Sequence, residues 1–105
     1  MNVKFERLLN FNVRNCPSQG YLVIGGIRRN ERVDDLAECW ACSWSIAEIH
    51  PDISEVMGED PLDAFLNCIR LIQNLIFLHE EIGWKIWWLV EGDKGGLLSV
   101  LEDVS

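Results

Sequence analysis

The residues able to do chemistry are few in this sequence, and their spacing is loose. Cys39 and Cys42 bracket Trp40 and Ala41 in a C-x-x-C. Redox work would need the first of them exposed at a helix N-terminus, where the dipole lowers the thiol pKa. The motif falls instead inside a strand pattern, where residues three apart point to opposite faces. A structural zinc site takes four ligands, usually from two such pairs, and Cys16 and Cys68 do not form a second pair. His50 stands before a proline, and His79 sits beside Glu80 and Glu81 at a helix end, a place that favours a cation. Neither histidine belongs to a triad or a metal motif. Gly25-Gly26 and Gly95-Gly96 lack the lysine and hydroxyl residue of a phosphate loop. No cofactor and no resident metal are expected.

Carboxylates are the other reactive class. Asp52, Glu55, Glu59, Asp60 and Asp63 bunch within twelve residues. Paired carboxylates can act as general acid and base or hold a hard cation, but no nucleophile or signature spacing accompanies these. A surface that docks on a basic partner needs only their charge. The chain has 105 residues and net charge −8, unevenly spread. Residues 1–32 carry six basic and two acidic groups, net +4. Residues 33–105 carry three basic and fifteen acidic groups, net −12. Such an acidic domain repels nucleic acid and attracts basic partners. Trp87 joins the five carboxylates as a candidate anchor, since tryptophan is over-represented among binding hot spots.

The elements that must position these groups follow from patterning. Length gives one domain, and 49 % hydrophobic residues argue against disorder. Residues 2–14 alternate with period 2, with Val3, Phe5, Leu9, Phe11 and Val13 on one parity; Arg7 and Leu8 interrupt it and suggest a bulge or kink. Residues 16–20 read as a turn and 21–29 as a strand with Tyr21, Val23 and Ile27 on one face and a bulge at the glycine pair. Residues 30–36 read as a loop. The clearest strand is 38–49. Trp40, Cys42, Trp44 and Ile46 face one way; small residues face the other, either under a helix or as a flat exposed surface. Residues 51–60 read as an acidic connector.

Asp60 then suits a helix N-cap, Pro61 the first helical position and Asp63 the positive end of the dipole. The helix should stop at Gly83. Its polar positions, Asp63, Asn67, Arg70, Asn74 and Glu81, make one narrow stripe, so it is expected to be buried on more than one side: against the sheet, and under the connector or in a dimer interface. Residues 84–91 read as a strand apolar on both faces, with Trp40, Trp44 and Trp88 in the core and Trp87 either exposed or covered. A turn and a short strand at 97–101 follow. The expected architecture is α+β: a mainly antiparallel sheet of four to five strands with one long helix across one face. No apolar run reaches the roughly 20 residues of a membrane span, and the first seven residues lack a signal-peptide pattern. A cytoplasmic protein is expected.

The stretch from Trp40-Ala-Cys-Ser-Trp-Ser-Ile through Met57-Gly-Glu-Asp-Pro-Leu-Asp-Ala-Phe-Leu-Asn-Cys-Ile-Arg to Trp84-Lys-Ile-Trp-Trp-Leu resembles a bacterial family of small proteins. In that family a W-x-C-x-x-x-I strand precedes a G-x-D-x-x-x-A-L helix and a tryptophan strand. Phe65 stands where the family more often has leucine. Such proteins are similar to immunity proteins of polymorphic-toxin and contact-dependent growth inhibition systems. The resemblance implies a cytosolic antitoxin that binds the basic C-terminal domain of a cognate toxin, a nuclease and by preference a ribonuclease. It carries over no catalytic residue. Two other readings stand beside it: a small zinc or redox protein using Cys39, Cys42 and His50, and a non-catalytic homodimeric subunit.

Overall fold

The computed structural model describes residues 4–29 and 39–97. The expected loop at 30–36 and the residues beyond 97 of the expected last strand lie outside them. Strands β1 (Lys4–Val13) and β2 (Cys16–Arg29) form one long antiparallel hairpin, paired in register from Lys4 with Gly25 to Val13 with Cys16. The turn is Arg14-Asn15, both at positive φ (52° and 64°). That is the two-residue geometry whose twist matches the flanking strands, and Asn tolerates the left-handed region. Residues 16–20, expected as the turn, therefore belong to β2. Nor does β1 bulge at Arg7 and Leu8: the strand keeps its alternation, placing Arg7 on the inner face opposite Leu22 and Leu8 on the outer face opposite Tyr21.

The bulge is in β2. Between Gly25 and Arg28 three steps on β2 match two on strand β3 (Trp40–Ile46), where Ser43 and Ala41 are the partners. Gly26 takes φ +64° there, which a residue with a Cβ rarely adopts. The extra residue switches parity. Leu22, Ile24 and Ile27 are buried together, while Tyr21 and Val23 face the other way. The expected common face of Tyr21, Val23 and Ile27 is thus split by the bulge.

Residues 51–58, expected as part of a connector, form strand β4 together with His50 (His50–Gly58), antiparallel to β3. It is the outermost strand of a five-stranded sheet in the order β4-β3-β2-β1-β5. Edge strands carry charge and proline because their outer N–H groups have no ladder partner, which is why Pro51, Asp52 and Glu55 disguise it in the sequence. Helix α1 (Pro61–Glu81) begins as expected: the Asp60 carboxylate accepts from the Asp63 N–H at 2.7 Å. It ends in a Schellman motif, with Gly83 N–H donating to Glu80 O at 3.1 Å and Trp84 N–H to His79 O at 3.0 Å. The His79 and Trp84 rings pack across the motif, centroids 4.6 Å apart.

Ala64, Cys68, Ile69, Ile72 and Ile76 of α1 are buried against Leu9, Phe11, Leu22, Ile24, Cys42, Trp44, Ile46 and Ile86 of the sheet. Each large side chain so buried contributes about 1.5–3 kcal/mol. Gly58 lets the chain turn tightly from β4 into α1, since a Cβ there would meet the Ala64 backbone N at 2.2 Å. One helix face is spent on the sheet; β4 lies in the sheet and gives no cover to Leu62 and Leu78 on the flanks or to Ile82 at the C-cap, which are exposed. By length and composition alone α1 is apolar enough to cross a membrane. Of the strand expected at 84–91 only β5 (Lys85–Trp87) forms, paired with Asn10–Asn12 of β1. The fold is α+β, as patterning implied.

Candidate protein-interaction surfaces

Three surfaces gather the polar and aromatic residues. The first is an acidic rim. From 48 to 63 the chain has six carboxylates and no Lys or Arg, and it runs along edge strand β4 and into the first turn of α1. The carboxylates differ in what else they do. Glu55 takes a two-pronged contact from Arg28, at 2.8 and 3.0 Å. Asp60 caps the helix, and Asp63 accepts from the Glu59 N–H at 2.8 Å. The side chains of Asp52 and Glu59 are exposed and bond to no other described residue. Their charge is therefore fully available to a partner.

The second surface is the sheet face opposite α1. Cross-strand partners share a face. The pairs Leu8 with Tyr21, Glu6 with Val23, Val23 with Ser45 and Ser43 with Glu55 therefore line one outer surface. Among the described residues no helix covers the small residues of β3; they form the floor of this face. Tyr21 is 53 % and Ile53 79 % exposed. Trp87 sits half-buried on the same face, opposite Asn10. It belongs to β5, at the far edge from β4. Four strand spacings of about 4.8 Å put at least roughly 19 Å between it and the acidic rim. The fold thus brings the five carboxylates together and leaves Trp87 apart from them.

The third is a corner after β5 that patterning did not find. Trp88, expected in the core, is 36 % exposed and lies under the Arg7 guanidinium, 3.7 Å from the ring centroid. Arg7 also donates to Gly95 O at 2.9 Å. Asp93 organises the loop: its carboxylate accepts from the N–H groups of Trp88 and Leu89 (both 2.8 Å), Gly95 (3.0 Å) and Val90 (3.1 Å). Burial by itself raises a carboxyl pKa, but these four donors outweigh it and hold Asp93 below its ordinary value. The loop breaks the expected strand after Trp87. The signal in the sequence was an Asp two residues before Gly95, an Asx-turn pattern.

The cysteine and histidine candidates scatter. Cys42 is fully buried and faces Cys68 of α1 rather than Cys39. The Cys42 sulfur and burial both push the Cys68 thiol up, holding it protonated. His50 packs on Trp44, centroids 4.9 Å apart. His79 Nδ1 lies 2.6 Å from Leu75 O, bonded within its own helix. Among the described residues no three His, Cys, Asp or Glu side chains come together as a metal site. Comparison with known proteins gave no match to a family model, to a curated protein or to a solved structure.

Proposed function

We propose that the protein is an immunity-type antitoxin: it binds and neutralises the basic C-terminal domain of a cognate bacterial toxin, a nuclease and by preference a ribonuclease. The observation that carries this reading is the acidic rim, a segment of six carboxylates with no Lys or Arg of its own that runs from the turn before β4 to the helix start, where among the described residues Glu55 alone is ion-paired, with Arg28. The resemblance noted from the tryptophan strands and the helix start points the same way. A nuclease must be basic where it grips phosphates. An inhibitor with the opposite field competes for that cleft and associates fast. Asp52 and Glu59 supply charge not committed within the fold. Glu55, Asp60 and Asp63 supply charge and also hold the rim in place. The work is done by occlusion, so no catalytic residue is required, and the site of action is the cytoplasm.

The test is co-expression with the toxin domain encoded beside it, followed by measurement of nuclease activity and association rate. Stoichiometric protein is expected to abolish cleavage. Asp52→Lys with Glu59→Lys is expected to slow association at least tenfold at low salt, with the difference shrinking as salt rises. Full cleavage in the presence of excess protein would overturn the proposal. Trp87→Ala asks whether the distant edge takes part: an unchanged dissociation rate removes Trp87 as an anchor.

A further inference from the structure

The bare sheet face has relief. Its high ground is Tyr21 and Leu8, paired across β2 and β1 and 53 % and 40 % exposed. Its low ground is a depression of about 270 Å³ lined by Lys4, Val23, Gly25, Ser43, Ser45 and Ile53. The hollow exists because glycine and serine leave little side chain above the strands. At this size it suits one side chain better than a small-molecule ligand, whose pockets run from about 300 to 1,000 Å³. Knob and hollow lie on the same strand, Tyr21 four residues before Gly25, with Val23 midway. A step of about 3.3 Å per residue puts them roughly 13 Å apart.

We infer that this face joins two copies of the chain in a two-fold dimer, each Tyr21 seated in the other copy's hollow. An axis lying between the sheets, across the strands at Val23, carries Tyr21 of one copy over Gly25 of the other and the reverse. That reciprocity is what an isologous interface requires. Charge fits the same occupant. The chain is at −8 overall, yet on this face Lys4, Arg28 and Lys85 balance Glu6, Glu55 and Glu91, the last paired with Lys85 at 3.2 Å. A copy can approach here with little repulsion, while a basic partner finds no net charge to answer. Four strands at about 4.8 Å by seven residues at about 3.3 Å give roughly 440 Å² per copy in projection, the scale of a small, reversible interface. The arrangement forces one like-charge meeting, Glu6 with its counterpart, because Glu6 is level with Val23.

This dimer face shares Glu55 and one side of β4 with the acidic rim, but it is tested on the protein alone, so its failure is distinguishable from failure of the antitoxin reading. Sedimentation equilibrium from about 1 to 100 µM is the experiment, with circular dichroism to confirm folding. A dimer is expected. Tyr21→Glu, at an exposed site, is expected to weaken it at least about 30-fold, as for a hot-spot residue. Glu6→Gln is expected to tighten it several-fold. Ile82→Glu, on the exposed end of α1, is expected to leave it unchanged. A monomer at 100 µM overturns the inference. So does a dimer that survives Tyr21→Glu and dissociates with Ile82→Glu, which would place the contact on the helix. A dimer that Glu6→Gln leaves unchanged or weakens overturns the two-fold placement.

Discussion

The two faces of the sheet obey different rules. On the inner face Leu9, Phe11, Ile46 and Ile86 are at most 1 % exposed, locked against α1. On the outer face Leu8 and Tyr21, one step along the same strands, are 40 % and 53 % exposed. The chemistry of the side chains is similar and only the parity differs. The inner face is where a substitution acts on the fold. The outer face is where it acts on what the fold can meet.

The sharpest way to break this contrast is to truncate one residue on each side. Phe11→Ala should cost about 3–5 kcal/mol, the lost transfer energy plus a cavity. Leu8→Ala should stay within about 0.5 kcal/mol, as for an exposed site away from special features. Urea unfolding of the two variants decides it. A large loss at Leu8 under monomeric conditions would mean that the outer face is packed within one chain.

A smaller effect is expected at the sheet's far corner, where Asp93 ties the loop after β5. Asp93→Ala removes an acceptor for four backbone donors, and about 1–3 kcal/mol should go with it. The pH dependence has a definite sign. The folded pKa lies below the ordinary value, so the ionised form is favoured by folding. Its contribution is complete above roughly pH 3.9 and disappears as pH falls through the folded value. Thermal unfolding of the wild type should therefore lose stability faster below about pH 4 than the Asp93→Ala variant does. Parallel acid limbs would remove the carboxylate from the explanation.

A smaller effect again is expected for the ion pair on the outer face. Arg28 and Glu55 make a two-pronged pair in solvent, with side chains 54 % and 30 % exposed. Arg28→Ala should cost no more than about 1 kcal/mol, less at high salt. A loss as large as that of Phe11→Ala would mean that the outer face also carries the fold.

Helix α1 was legible to the residue at its start because Asp60, Pro61 and Asp63 act on groups within one turn of themselves. The hairpin turn was misplaced because Cys16-Pro-Ser-Gln-Gly has turn residues while Arg14-Asn15 does not announce itself; only pairing along the whole ladder selects the latter. β4 was hidden because an edge strand is kept polar and charged, which in a sequence looks like a loop. The five carboxylates of the candidate site were visible as a cluster, since neighbours in sequence stay neighbours on one strand and turn. The outer-face relief was not visible. It joins Lys4, Tyr21, Ser43 and Ile53, which are brought together only by strand order.

Local physics in the sequence thus determined the class of fold, the helix with its two caps, the inward parity of β3 and the acidic character of residues 48–63. Tertiary structure alone decided the rest: the bulge at Gly26 that turns Ile27 inward, the edge position of β4, the distance of at least roughly 19 Å between Trp87 and the rim, and the exposure of Trp88. These depend on which strands lie side by side. A side chain's surroundings in a sheet come from residues far away in the chain, and no spacing within a segment encodes them.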